Sequence, residues 1–364
     1  MRIKHLLREP LKTFEAYRPG GKVIEVDEDV EEIINLNANE NQLGPSFLAI
    51  KAMQEAVKES NYYPFTFGQL EKARKEVGEF LGFSQDHIMI TSGSSGIISA
   101  FGEIFLNPGD EVITCVPTYD SYRAMVNRYG AIYKTAPLKN HTFDLEAMEK
   151  MINEKTKLII IVNPNNPTGT IISNKDLDNF IEKVPDHVIT VIDEAYFEWI
   201  NQEDYESAMK YVKENKNVVV LKTFSKLYGM AGVRIGYGVM KPEICNEMRN
   251  VEFGYGASRI GIAGMLAALK DHEYVKKSIE NNTKGRTFLT KSLKEVGFEV
   301  VESYASFVYF LPKGIAQEEL IEKMGRRGVL IRGYGQYARV SVGVPHQNEK
   351  FVETLKNIMG QMNI

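Results

Sequence analysis

Short apolar runs alternate with amphipathic stretches along this chain. HIMIT (87–91), EVITCV (111–116), KLIIIV (157–162), VITVID (188–193), VVVL (218–221) and RIGYGVM (234–240) are compact and apolar, and read as strands. Helical periodicity lies between them. FLAIKAMQEAVKE (47–59) spaces Leu48, Ile50, Met53 and Val57 along one face, and QLEKARKEVGEFL (69–81) does the same with Leu70, Ala73, Val77 and Phe80. A further helix is predicted over 173–183. Strands apolar on both faces, alternating with helices, predict an α/β fold with a mainly parallel, covered sheet. After about residue 255 the texture changes. A long helical region (262–296) precedes strand-like FEVVE, SFVYFL, VLIR and ARVSV, with helices at 316–327 and 347–362. The expectation is a large α/β domain over 39–254 and a smaller α+β domain over 255–364, joined by an N-terminal arm, 1–38.

Composition narrows the class. In 364 residues, 43% are hydrophobic and 25% charged, which excludes a disordered or low-complexity chain. Lys+Arg 44 against Asp+Glu 48 leaves a net charge of −4, without the basic excess of a nucleic-acid or membrane-surface binder. No apolar run approaches the ~20 residues of a membrane span. The start, MRIKHLLREPLK, lacks the apolar core of a secretory signal. Cys115 and Cys245 make no disulfide framework, so a reducing, cytoplasmic setting is expected. The histidines His5, His87, His141, His187, His272 and His346 are scattered without ligand spacing, and no metal is expected.

The chemistry collects at the strand ends, where open α/β sheets bind ligands. These ends read TSGSSGI (91–97), PTYDSY (117–122), NPNNPTG (163–169), DEAY (193–196), KTFSK (222–226) and GMAGVRIGYG (229–238). Gly93 and Ser94 sit where a strand hands over to a helix, a place for an anion or for an ordinary serine cap. No GxxxxGK[ST] is present, so a P-loop is not supported, and no GxGxxG opens a first βαβ unit, which sets aside a Rossmann dehydrogenase. Thr223 and Ser225 add hydroxyls, and Arg234 a two-pronged donor suited to phosphate. Lys226 follows an apolar strand; burial there would lower its pKa, as an imine-forming amine requires. Lys222 is the rival lysine. Asp193 ends a buried strand and needs a partner, either a protonated ring nitrogen or helix N–H groups.

Taken together, PTY, NPNNPTG, DEAY and TFSK, with Arg234 eight residues on, resemble the fold-type I pyridoxal-phosphate (PLP) enzymes of the class I/II aminotransferase group. LNANENQLGPS (36–46), YYP (62–64), LNPGDEV (106–112), GVLIRG (328–333) and ARVSVG (338–343) extend the resemblance to the histidinol-phosphate aminotransferase branch, in order along nearly the whole chain. The resemblance implies the fold-type I transferase fold and a homodimer with a shared active site. It implies that Lys226 forms the Schiff base with PLP and shuttles the proton. Asp193 would pair the pyridinium nitrogen, Asn166 and Tyr196 the phenolic oxygen, and Tyr119 would stack on the ring. Gly93, Ser94, Thr223, Ser225 and Arg234 would hold the phosphate, joined by Tyr63 of a second subunit. Arg339 would grip the substrate's acidic group, Arg332 would match the branch's extra arginine that helps bind the substrate phosphate, and Tyr17 would belong to a substrate arm.

The implied reaction moves an amino group between an amino acid or amino-phosphate and a 2-oxo acid. A decarboxylase or lyase on the same scaffold, like threonine-phosphate decarboxylase, is the alternative; a non-catalytic PLP-binding protein is disfavoured by the presence of Lys226. Two stretches depart from the branch. Its Arg-x-Pro-(Phe/Tyr)-Asn element is replaced within 252–264, and the Asn of its Ala-Asn-Phe element is Ser306. Both are expected to face the substrate.

Overall fold

The computed structural model describes residues 3–12, 25–251 and 256–362. Tyr17 lies outside the described residues, as do positions 252–255. The strands are β1 (Ile34–Asn35), β2 (Ile88–Thr91), β3 (Glu111–Val116), β4 (Ile132–Pro137), β5 (Thr156–Val162), β6 (Ile189–Asp193) and β7 (Val218–Thr223). They continue with β8 (Gly236–Met240), β9 (Glu299–Val301), β10 (Phe307–Leu311), β11 (Val329–Leu330), β12 (Arg332–Tyr334) and β13 (Tyr337–Ser341). The main sheet has seven strands in the order β2-β8-β7-β6-β5-β3-β4. β8 runs antiparallel to both neighbours, and the other pairs are parallel. The predicted α/β fold with a mainly parallel sheet is therefore what forms. Its central strands are buried on both faces, as their unbroken apolar runs require.

One strand had escaped the apolar pattern. β4 closes the sheet edge with Ile132 exposed and mostly half-buried or exposed neighbours, so nothing in IYKTAP marks it as a strand of the core. The expected helix over 262–296 is two helices, Arg259–Leu269 and His272–Glu295. The break comes at Lys270–Asp271, where the Asp271 carboxylate accepts from the Tyr274 N–H and starts the second helix.

A four-stranded antiparallel sheet, β12-β13-β10-β9, builds a second layer, with β1 and β11 paired beside it. Its apolar cluster includes Leu289, Val308, Phe310, Val340 and Phe351, and also Ile34 and Leu36 from the N-terminal segment. The helix Arg259–Leu269, in contrast, contributes Ile262, Met265 and Ala268 to the cluster of the main sheet. By packing, this helix sides with the large layer, although it lies beyond the division expected at 255. No helix among the described residues is long and apolar enough to cross a membrane.

Candidate active site

The carboxyl ends of β5, β6 and β7 open onto a cavity of about 240 Å³, closed from the other side by β12 and β13. Ser94, Tyr119, Asn166, Asp193, Tyr196, Thr223, Ser225, Lys226, Arg234, Arg332 and Arg339 all line it. Eleven side chains spread over more than 240 positions of sequence thus converge on one space. Gly93 lies just behind the wall. A Cβ there would stand 2.6 Å from Arg234 Nη2, and its φ of +72° is open to glycine, so the residue lets the guanidinium close on the turn. Tyr63 is not in the wall of its own chain's cavity; it is 59% exposed, with its ring stacked on Phe65.

One end of the cavity is built for an anion. Ser94 begins the helix Ser94–Phe105, and Ser94 and Ser95 of its first turn line the space, where a helix start suits an anion. Arg234 donates to Ser225 Oγ and Ser95 Oγ, at 3.3 Å each. Its backbone sits at φ 59°, a conformation that strains a non-glycine residue and persists where the surroundings impose it. No carboxylate lies within salt-bridge distance of Arg234 among the described residues.

The two lysines part company here. Lys222 is buried but points away, held by Glu194 at 2.9 Å and Glu198 at 3.0 Å. Those carboxylates outweigh burial and hold its pKa above the ordinary lysine range. Lys226 Nζ faces the cavity and donates to the Ala38 carbonyl at 2.9 Å. Burial, helped by the positive charges of Arg339 and Arg234 and opposed by Glu40 and Asp193, lowers its pKa to about 8. A far larger share of its amine is therefore neutral near pH 7 than for an ordinary lysine. Asp193 is 3% exposed at the end of β6. Burial raises its pKa, while bonds from the Tyr122 hydroxyl and the Ala195 N–H, and the nearby Lys222, pull it back down.

The opposite wall carries two arginines. Arg332 on β12 and Arg339 on β13 are directly paired across the antiparallel ladder. Like charges in that position repel, so their joint placement toward one cavity points to an anionic occupant. Arg339 is 3% exposed, and its acceptors are Asn166 Oδ1, the Tyr334 hydroxyl and the Asn37 carbonyl, all neutral. Its Nε has no partner. A buried guanidinium without a carboxylate is costly to hold, by several kcal/mol, unless a ligand completes it.

Sequence reasoning had missed the segment Ala38–Glu40 as part of the wall. Ala38 accepts from Lys226, Asn39 donates to the Tyr196 hydroxyl at 2.9 Å, and Glu40 stands at the cavity edge. The LNANEN motif was the available signal. The expected substrate-facing role of Ser306 does not match its position. Ser306 is outside the cavity wall, its hydroxyl is buried without a partner, and it is the next ring, Phe307, that lies under the Arg339 guanidinium at 5.2 Å. In the other altered stretch, Ser258 caps the helix Arg259–Leu269, and Arg259 ties down the loop bearing Tyr63 through Glu59 and the Tyr63 and Thr66 carbonyls.

Residues 31–355 match the family described as aminotransferase class I and II. The chain belongs to that family. The aminotransferase is 35% identical over 360 residues to the histidinol-phosphate aminotransferase of Moorella thermoacetica, covering 97% of this chain and 92% of that one. It is also 35% identical over 361 residues to that of Caldicellulosiruptor saccharolyticus, covering 97% and 100%. Among solved structures, the histidinol-phosphate aminotransferase of Sinorhizobium meliloti in complex with pyridoxal-5'-phosphate superposes with a TM-score of 0.85 at 24% identity, over 91% of this chain and 92% of that one. The aspartate aminotransferase of Thermus thermophilus with maleate gives 0.80 at 22%, over 90% and 92%. The fold-type I fold is shared by both, so it does not choose between their substrates; the side chains around the cavity must.

Proposed function

We propose that this aminotransferase uses PLP, held in the 240 Å³ cavity, to move an amino group between an amino-acid or amino-phosphate donor and a 2-oxo acid. The observation that carries the reading is a half-buried lysine with a depressed pKa and a buried arginine without a carboxylate partner, facing one cavity from opposite walls. The residues present fit the cofactor. The phosphate suits the Ser94 helix start, Thr223, Ser225 and Arg234, with Gly93 leaving room for the arginine. Tyr119 offers a ring face, and Asn166 and Tyr196 offer polar atoms beside it. Asp193 offers a buried carboxylate to a protonated ring nitrogen.

When bound, PLP supplies an electron sink for the donor's Cα–H bond. Lys226 binds the cofactor and afterwards takes the proton from the donor's Cα and returns it, which its depressed pKa favours. Asp193 keeps the ring nitrogen protonated. Arg339 and Arg332 orient the donor through its anionic group. Tyr196 lines the cavity and is braced from behind by Phe307, in edge-to-face contact at 5.1 Å.

The active form is a homodimer in this reading. Phe47 and Phe67 are 76% and 82% exposed, and Leu48, Val57, Tyr62, Tyr63 and Phe65 join them on one stretch of chain, more apolar surface than a monomer usually leaves open. Such a face would bring Tyr63 against the partner's cavity. A cytoplasmic setting agrees with Cys115 and Cys245 both being buried in the core.

The function is tested with a panel of donors, including histidinol phosphate and aromatic amino acids, scored by conversion of bound PLP to its amine form and by the keto product. Donors bearing an anionic group should convert it stoichiometrically. Release of CO₂ without amino transfer would favour the decarboxylase alternative instead.

A further inference from the structure

Tyr122 was not singled out by its sequence setting, and it lies outside the cavity wall. It is fully buried in the helix Ser121–Tyr129, one turn after the loop that carries Tyr119. Two contacts distinguish it from a core tyrosine. Its hydroxyl donates to Asp193 Oδ2 at 2.8 Å. Its ring meets that of Tyr119 edge-on, with centroids 6.0 Å apart and planes at 87°. The other carboxylate oxygen, Oδ1, accepts from the Ala195 N–H at 3.1 Å. With one donor on each oxygen the carboxylate plane is fixed, and each oxygen still keeps a lone pair.

We propose that Tyr122 is a positioning residue that sets both jaws of the cofactor site at once: its hydroxyl aims and holds anionic the Asp193 carboxylate, and its ring braces Tyr119. This rests on the reading of the cavity as a PLP site. The logic is electrostatic and geometric. A carboxylate buried at the end of β6 would tend to protonate, and a protonated Asp193 could not hold a protonated ring nitrogen. A phenol whose own ionisation is suppressed by burial is a donor that cannot add a competing charge. The rest of the ring fills core space beside Tyr119, so the hydroxyl and the ring have separable tasks.

Two variants separate them. Tyr122→Phe deletes the hydroxyl and keeps the ring; Tyr122→Leu deletes both. Tyr122→Phe should weaken PLP binding to the apoprotein and lower kcat, each by roughly 10- to 100-fold, the size of a lost hydrogen bond to a charged group. KM for the donor should stay within about twofold, because Arg332 and Arg339 are untouched. In an Asp193→Asn background the same substitution should have little further effect, since both changes remove one interaction. Tyr122→Leu should weaken PLP binding beyond Tyr122→Phe. Borohydride reduction should still fix PLP on the Lys226 peptide in the wild type and in Tyr122→Phe. A wild type that takes no label overturns the reading of the site and this role with it. A labelled Tyr122→Phe with wild-type PLP affinity and kcat, effects that add in the Asp193→Asn background, or a Tyr122→Phe chain that does not fold, overturns the role of Tyr122 alone.

Discussion

Lys226→Ala should lower turnover by at least about 10³-fold while the protein keeps its fold and still takes up PLP. The size follows from removing both the covalent anchor and the group that moves the Cα proton, since general acid–base catalysis alone contributes about 10² to 10⁴. Retention of PLP follows from the anion end of the cavity, which Lys226 does not build: Ser94, Thr223, Ser225 and Arg234 remain. Truncation also removes a half-buried amine whose charge is disfavoured by Arg339 and Arg234, so no unpaired partner is left behind except the Ala38 carbonyl. Single-turnover and steady-state assays, with the melting temperature as control, measure the effect. A variant with turnover within tenfold of the wild type would mean that another group moves the proton. Lys222 is a poor substitute, because Glu194 and Glu198 hold it charged on the far side of β7.

Arg339→Ala has the second largest expected effect, and it should fall on the donor. Removing one member of a buried hydrogen-bonded charge pair costs about 2–5 kcal/mol, or roughly 30-fold to several thousand-fold in kcat/KM. PLP affinity should change by no more than about threefold, because Arg339 is not part of the anion end built by Ser94, Thr223, Ser225 and Arg234, and touches the rest of the cofactor side through Asn166 and, by charge, Lys226. Arg339→Lys should recover little. The arginine donates to Asn166 and Tyr334 through Nη1 and to Asn37 through Nη2, a planar fork that a single ammonium does not reproduce. Dissociation constants for PLP, beside KM and kcat for an anionic donor, resolve the two effects. Equal losses of donor and PLP would take Arg339 out of the substrate role. A neutral donor of the same size should lose much less than the anionic one.

How much of this was legible in the sequence depends on the distance over which each feature is decided. The strands of the large sheet are local facts: KLIIIV and VVVL can be little else than buried strands, and the residues after them fall at the ligand edge by topology. β4 was illegible because an edge strand with one covered position, Ala136, has no apolar alternation to read. The break at Lys270–Asp271 was legible in principle, since Asp271 is a good cap, but the apolar pattern continues across it. The cross-strand pairing of Arg332 with Arg339 is set by the hairpin register, which a sequence separation of seven does not specify. The segment Ala38–Glu40 reaches Lys226 across 188 positions, and such contacts depend on how the two layers dock. The choice between Lys222 and Lys226 shows the same division. Both follow the same apolar run; the TFSK motif already points to Lys226, and the tertiary placement of Glu194 and Glu198 supplies the physical reason Lys222 is excluded.

In the proposed function, Lys226, half-buried and with its pKa depressed, receives the cofactor in the cavity between the two layers. The most direct test is to load the purified protein with PLP, reduce it with borohydride, digest it and sequence the labelled peptide. The expected result is a single modified residue, Lys226. A label on Lys222, or a protein that takes none, would contradict it.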